Sequence, residues 1–103
     1  MPTTVVLVDD HELIREGLRR AFERTEDFTV VGEAGSVAEA LAVIAETTPG
    51  VAIVDMRLPD GSGLDIARAV RQSNETMGIV ILTMYAGDDQ LFRLRAERLL
   101  PAA

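Results

Sequence analysis

The segment Val51-Ala52-Ile53-Val54-Asp55-Met56-Arg57-Leu58-Pro59-Asp60-Gly61-Ser62-Gly63 carries the pattern from which the architecture can be worked out. Its first part is a short apolar, β-branched run opened by Pro49-Gly50, and its second part is broken by Pro59 and two glycines. That is the signature of a strand buried on both faces, and such strands belong to parallel sheets. Asp55 stands where the apolar run ends. In an open α/β sheet that place is the carboxyl edge, where ligands bind. A lone acid there more often caps the next turn, so Asp55 gains weight only from its company.

The company is the pair Asp9-Asp10, which closes the similar run Thr4-Val5-Val6-Leu7-Val8. Two parallel strands ending in acids at one edge gather three carboxylates in one crevice. Neighbouring carboxylates about 4 Å apart repel by roughly 4 kcal/mol at an effective dielectric of 20. A shared proton, a cationic side chain or a divalent metal must offset this. Magnesium suits best, because it takes one or two carboxylates, keeps several waters and leaves room for phosphate oxygens.

With 103 residues and 48% hydrophobic content, the chain reads as one globular domain. No run approaches the roughly 18 apolar residues of a membrane span, and Met1-Pro2-Thr3-Thr4 lacks the basic start of a signal peptide. A cytoplasmic protein with no membrane partner is expected. The absence of cysteine excludes disulfides and thiolate chemistry. A net charge of −7 argues against direct nucleic-acid contact by this domain. Every basic residue is an arginine; there is no lysine.

Along His11 to Arg24, the residues Leu13, Ile14, Leu18, Ala21 and Phe22 share one helical face, with arginines and glutamates opposite. Asp10, near the start of this helix, is a candidate cap. His11 has no second histidine to join in a metal cluster, and at a helix start it is expected to be solvated and without a chemical role. Phe28 to Ala34 reads as a second strand. Ser36, with Glu39 three residues on, opens a helix through Ala45 as a capping box. Gly63 to Arg71 is a third helix and Gly78 to Thr83 a fourth buried strand. The alternation implies a parallel sheet with right-handed crossovers and helices on both faces. Thr83 ends the fourth strand at the edge that Asp10 and Asp55 share, although its β propensity alone would account for it.

The pair Asp9-Asp10, Asp55 followed by Pro59 and Gly63, and Thr83 with Ala86 beyond it resemble the receiver domain of bacterial two-component response regulators. Val8-Asp9-Asp10-His11-Glu12-Leu13-Ile14-Arg15-Glu16-Gly17-Leu18 and the segment from Asp55 to Gly63 are similar to the NarL/FixJ (LuxR-type) subfamily. The match runs from about Thr3 to about Arg93, and several motifs agree in order, which is more specific than any one of them. The resemblance implies a flavodoxin-like doubly wound parallel α/β fold, here with four strands in the order 2-1-3-4. It implies that Asp55 accepts a phosphoryl group from a histidine kinase, that Asp9, Asp10, Asp55 and the Met56 backbone carbonyl hold Mg2+, and that Thr83 contacts the phosphoryl group and switches. Transcriptional output in this subfamily comes from a DNA-binding domain after the receiver, which this sequence does not contain.

The family carries a lysine on a fifth strand. Here Asp88-Asp89-Gln90-Leu91-Phe92-Arg93 is still family-like, but from Leu94 onward no lysine, fifth strand or fifth helix is expected, and Arg93, Arg95 and Arg98 read as helical. The sheet face under the first helix would then be thinly covered and the fourth strand would have an open edge, so marginal stability is expected, with either self-association or a missing segment supplied by another chain. Two alternatives stand beside a non-enzymatic phosphoacceptor. One is a pseudo-receiver acting by protein contact alone. The other is a magnesium-dependent phosphatase with an aspartyl-phosphate intermediate, which commonly pairs its nucleophile with an acid two residues on, where this chain has Arg57.

Overall fold

β1 (Thr3–Val8) is the hub of the sheet, with Val5, Val6, Leu7 and Val8 at most 2% exposed. It pairs in parallel with β2 (Phe28–Ala34) on one side and β3 (Val51–Asp55) on the other. β3 pairs in parallel with β6 (Gly78–Ala86). The computed structural model describes residues 2–74, 76–86 and 92–99. The four parallel strands run β2-β1-β3-β6, the expected order, with α1 (Glu12–Glu23), α2 (Val37–Thr47) and α3 (Gly63–Ser73) between them. β4 (Arg57–Leu58) and β5 (Gly61–Ser62) form a small antiparallel hairpin after β3.

Alternation along the strands divides the core in two. Val6, Val8, Ala52, Val54, Ile79 and Ile81 pack with Ala40 and Ile44 of α2 and with Ile66, Ala67 and Val70 of α3. Val5, Leu7 and Ile53 pack on the opposite side with Leu18 and Phe22 of α1, while Val80 and Leu82 are only partly buried there. No residue of α1 is buried and Leu13 is 82% exposed. Of the predicted apolar face of this helix, Leu18 and Phe22 reach the core and Ala21 faces out. The thin cover expected over this face is corrected for β1 and β3, where Val5, Leu7 and Ile53 are buried under Leu18 and Phe22; among the described residues it thins only toward Val80 and Leu82 of β6.

The segment after β6 departs from expectation. Phe92–Leu99 is a strand, β7, paired antiparallel with β6 from Ile79 to Ala86, so the open edge and the helical reading of Arg93, Arg95 and Arg98 are corrected. The physical reason is legible in the residues: Phe92-Arg93-Leu94-Arg95-Ala96 alternates with period two, not 3.6. A parallel return needs a crossover of a dozen or more residues, and only residues 87–91 separate the two strands. Pairing here also satisfies a backbone edge that would otherwise stand open.

The N-terminus of α2 is capped from two directions. Ser36 Oγ accepts a hydrogen bond from Glu39 N at 3.1 Å, but the Glu39 carboxylate accepts from the Ser36 hydroxyl at 3.4 Å, so only half of the expected box forms. Val37 N and Ala38 N instead donate to the two carboxylate oxygens of Asp60, at 2.7 and 3.1 Å. Asp60, in the turn between β4 and β5, thereby ties the loop after Asp55 to the helix. These two bonds hold its carboxyl below the ordinary value of 3.8. A depressed folded value stabilises above 3.8, and the stabilisation is lost as pH falls through the folded value. Asp60→Ala is therefore expected to lower the melting temperature at pH 7, with the gap to the parent narrowing on the acid side; a gap independent of pH would show that the carboxylate charge is not involved.

Candidate functional site

The register of β1 and β3 builds the site. Val8 lies beside Val54, so Asp9 and Asp55 continue neighbouring strands at one edge. Asp55 in turn lies beside Leu82 of β6, and Met56 N donates to Leu82 O at 3.0 Å. Asp9 is 3% exposed and its backbone is fixed on both sides: its N–H donates to Ala34 O at 3.0 Å, and its carbonyl accepts from Arg15 Nη1 at 2.8 Å. The Asp55 side chain is largely buried and that of Asp10 about one-third exposed.

His11 joins these acids, which the sequence reading missed. Asp9 Oδ1 accepts the His11 backbone N–H at 2.7 Å and lies 2.9 Å from His11 Nδ1. The same Nδ1 is 3.0 Å from Asp10 Oδ1 and 4.0 Å from Asp55 Oδ2. The ring is solvated, as expected, and its Nδ1 also contacts the acid pair. Being the one side chain of titratable positive charge next to the acid pair was the available signal. Asp10 does not cap α1: the N-cap is His11, with no side-chain cap bond. Asp9, Asp10, His11 and Asp55 each present a donor atom, all within 4.8 Å of one another.

Burial pushes the Asp55 carboxyl up from its ordinary value, and the negative charges of Asp9 and Asp10 add to this, against a hydrogen bond from Arg57 N at 3.3 Å. His11 is also raised, first by its hydrogen bond to Asp9 and then by the charge of Asp10. Gly63 explains the small residue eight places after Asp55. A Cβ there would lie 2.7 Å from the Asp55 carbonyl oxygen, too close for any side chain. Its N–H donates to Met56 O at 3.0 Å, which fixes that carbonyl while leaving it a second lone pair.

Thr83 continues β6 one residue beyond the neighbour of Asp55, and across the strand pair it stands opposite Arg95. The expected Thr83 hydroxyl contact lies outside the described side chains, as does the Ala86 side chain; Asp88, Asp89, Gln90 and Leu91 lie outside the described residues.

Residues 5–98 match the response regulator receiver domain. The chain belongs to this family. The receiver is 44% identical over 87 residues to the DNA-binding transcriptional activator DevR/DosR of Mycobacterium tuberculosis, covering 84% of this chain and 40% of that protein. The chain thus spans about two-fifths of the length of that relative. A LuxR-family two-component response regulator from Aurantimonas sp. SI85-9A1 superposes with a TM-score of 0.78 at 39% identity, covering 84% of this chain and 62% of that one. The signal receiver domain of NarL from Mycobacterium tuberculosis gives 0.77 at 35% identity, covering 85% and 71%. The receiver fold of a NarL/LuxR-type response regulator is what the chain adopts.

The donor chemistry suits a divalent ion, because the carboxylate oxygens of Asp9, Asp10 and Asp55 converge and hard cations take such ligands. Without one, a raised Asp55 holds its proton more tightly folded than unfolded. Its stabilising contribution is then full below 3.8 and lost as pH rises through the folded value. Asp55→Asn is expected to raise the melting temperature of the chelator-treated receiver at pH 7 and to lose that advantage below pH 3.8. A lower melting temperature for the variant at pH 7 would contradict this charge balance.

Proposed function

We propose that this receiver is a phosphoacceptor: Asp55 takes a phosphoryl group from the histidine of a kinase, and the change at the sheet edge controls transcriptional output. The observation that carries the reading is the buried Asp55 carboxylate at the end of β3 with Asp9 and Asp10 beside it. An Asp55 carboxylate oxygen attacks phosphorus, the P–N bond to the kinase imidazole breaks, and that nitrogen keeps the bonding pair and takes up a proton. Phosphoryl transfer depends mainly on positioning and charge neutralisation. Asp9, Asp10, Asp55 and the Met56 carbonyl would hold Mg2+, which would supply the neutralisation for an anionic nucleophile meeting an anionic donor.

The residues supply the positioning. Packing of β3 holds Asp55 in place, the Met56–Gly63 hydrogen bond holds the following loop, and Asp60 ties that loop to α2. Once phosphorylated, the edge gains about −1.5 to −2 charges and new acceptor oxygens, and the Thr83 hydroxyl is the group in β6 proposed to meet them. Output by transcription is supported by the DNA-binding activator among the relatives. We place the receiver in the cytoplasm; no described helix is long and apolar enough to cross a membrane. It acts as a phosphoacceptor and not as a phosphatase, in keeping with Arg57 two residues after Asp55.

Incubation with acetyl phosphate and Mg2+ is expected to add one phosphoryl group by intact mass, absent in Asp55→Asn, while Thr83→Ala is still modified. Modification that persists in Asp55→Asn would overturn the assignment. Failure of the parent to be modified would favour a pseudo-receiver, and sustained release of phosphate from an ester substrate would favour an enzyme.

A further inference from the structure

We propose that His11 is a nitrogen ligand at the acidic site and makes it prefer a first-row transition ion such as Mn2+ over Mg2+. This rests on the reading of Asp9, Asp10 and Asp55 as cation ligands. Neighbouring ligands of an octahedral ion with bonds of about 2.1 Å lie about 3.0 Å apart, and opposite ligands about 4.2 Å. His11 Nδ1 lies 2.9 Å from Asp9 Oδ1 and 3.0 Å from Asp10 Oδ1, and 4.0 Å from Asp55 Oδ2. Nδ1 thus stands at neighbouring-ligand distance from Asp9 and Asp10 and near opposite-ligand distance from Asp55, and the four atoms lie within 4.8 Å of one another, so shifts of about half an ångström would bring them onto one ion.

The position is built before any ion arrives. His11 is the N-cap of α1, and its backbone N–H is held by Asp9 Oδ1 at 2.7 Å. The ring is 61% exposed, and Nε2 has no hydrogen-bond partner among the described residues. Solvent at Nε2 accommodates the tautomer with its proton there, which leaves the Nδ1 lone pair free for a metal. An imidazole changes the selectivity of an otherwise all-oxygen site. Carboxylate, carbonyl and water suit Mg2+, whereas imidazole favours the transition ions, in the order Mn2+ < Fe2+ < Co2+ < Ni2+.

Distances of about 3 Å also suit a protonated ring that serves as an internal counter-ion. A counter-ion must leave before a metal binds and so opposes every cation alike, whereas a ligand helps and discriminates. The two roles give opposite signs when the ring is removed.

Calorimetric titration of the receiver with Mn2+ alone and Mg2+ alone, for the parent and for His11→Ala, separates them. Loss of the ring is expected to weaken Mn2+ binding about tenfold and Mg2+ binding less than about twofold, in line with the cost of losing one metal-site partner. Pulsed EPR of bound Mn2+ is expected to show nitrogen coupling in the parent and none in His11→Ala. If both ions bind the parent without nitrogen coupling and the variant alters them equally or not at all, the ligand role is overturned while the carboxylate site stands. Tighter binding of both ions by His11→Ala would overturn it in favour of the counter-ion. If neither ion binds the parent, the carboxylate reading falls and this inference with it.

Discussion

The repulsion among Asp9, Asp10 and Asp55 is the constraint to which the rest of the structure answers, and the apolar core is what enforces it. Val5 and Leu7 are buried on one face of β1, Val6 and Val8 on the other. Slipping β1 against β3 by one residue would exchange the two sets, so the register is strongly specified. With Val8 fixed beside Val54, the acids that follow have nowhere else to go. Hydrophobic burial thus holds like charges together; burial first, and the charges of Asp9 and Asp10 after it, raise the Asp55 carboxyl, and His11 stands within the cluster. A bound cation would answer the same imbalance.

The two faces of the sheet differ in how firmly they hold their helices. α2 and α3 bury residues in the larger cluster, while α1 buries none. Beside the packing of Leu18 and Phe22, polar contacts join α1 to the sheet: Arg15 reaches the Asp9 carbonyl, and Arg15 and Arg19 both meet Glu33 of β2, at 3.5 and 3.0 Å. Partly exposed ion pairs contribute about 0 to 1 kcal/mol each. Low burial marks elements that open at low free-energy cost. The helix that presents His11 to the acids is thus among the less firmly packed parts of the molecule. The loop after β3 is braced instead, by Gly63 against Met56 and by Asp60 on α2.

The parallel strands and their order were legible because each is a β-branched apolar run between turn residues, and Asp9, Asp10 and Asp55 were legible because they interrupt such runs at their ends. What the sequence concealed came from contacts distant along the chain or from competing periodicities. Nothing local announces that Asp60 caps a helix beginning 23 residues earlier. Asp10 looked like a cap, but the helix begins one residue later and leaves it facing the site. His11 was set aside for want of a second histidine, when its partners were carboxylates. β7 was hidden because scattered leucines around Leu94 and Leu99 suit a helix as readily as arginine alternation suits a strand. The pairing available on β6 decided between them.

The core forces together charges that a bound cation would stabilise, and thermal melting against divalent-ion concentration tests this most directly. An ion that binds the folded receiver and not the unfolded chain raises stability with the logarithm of its concentration. The melting temperature of the parent is predicted to climb steadily with Mg2+ or Mn2+, and that of Asp10→Ala to stay nearly flat. Equal climbs in both proteins, or no climb in the parent, would contradict the account.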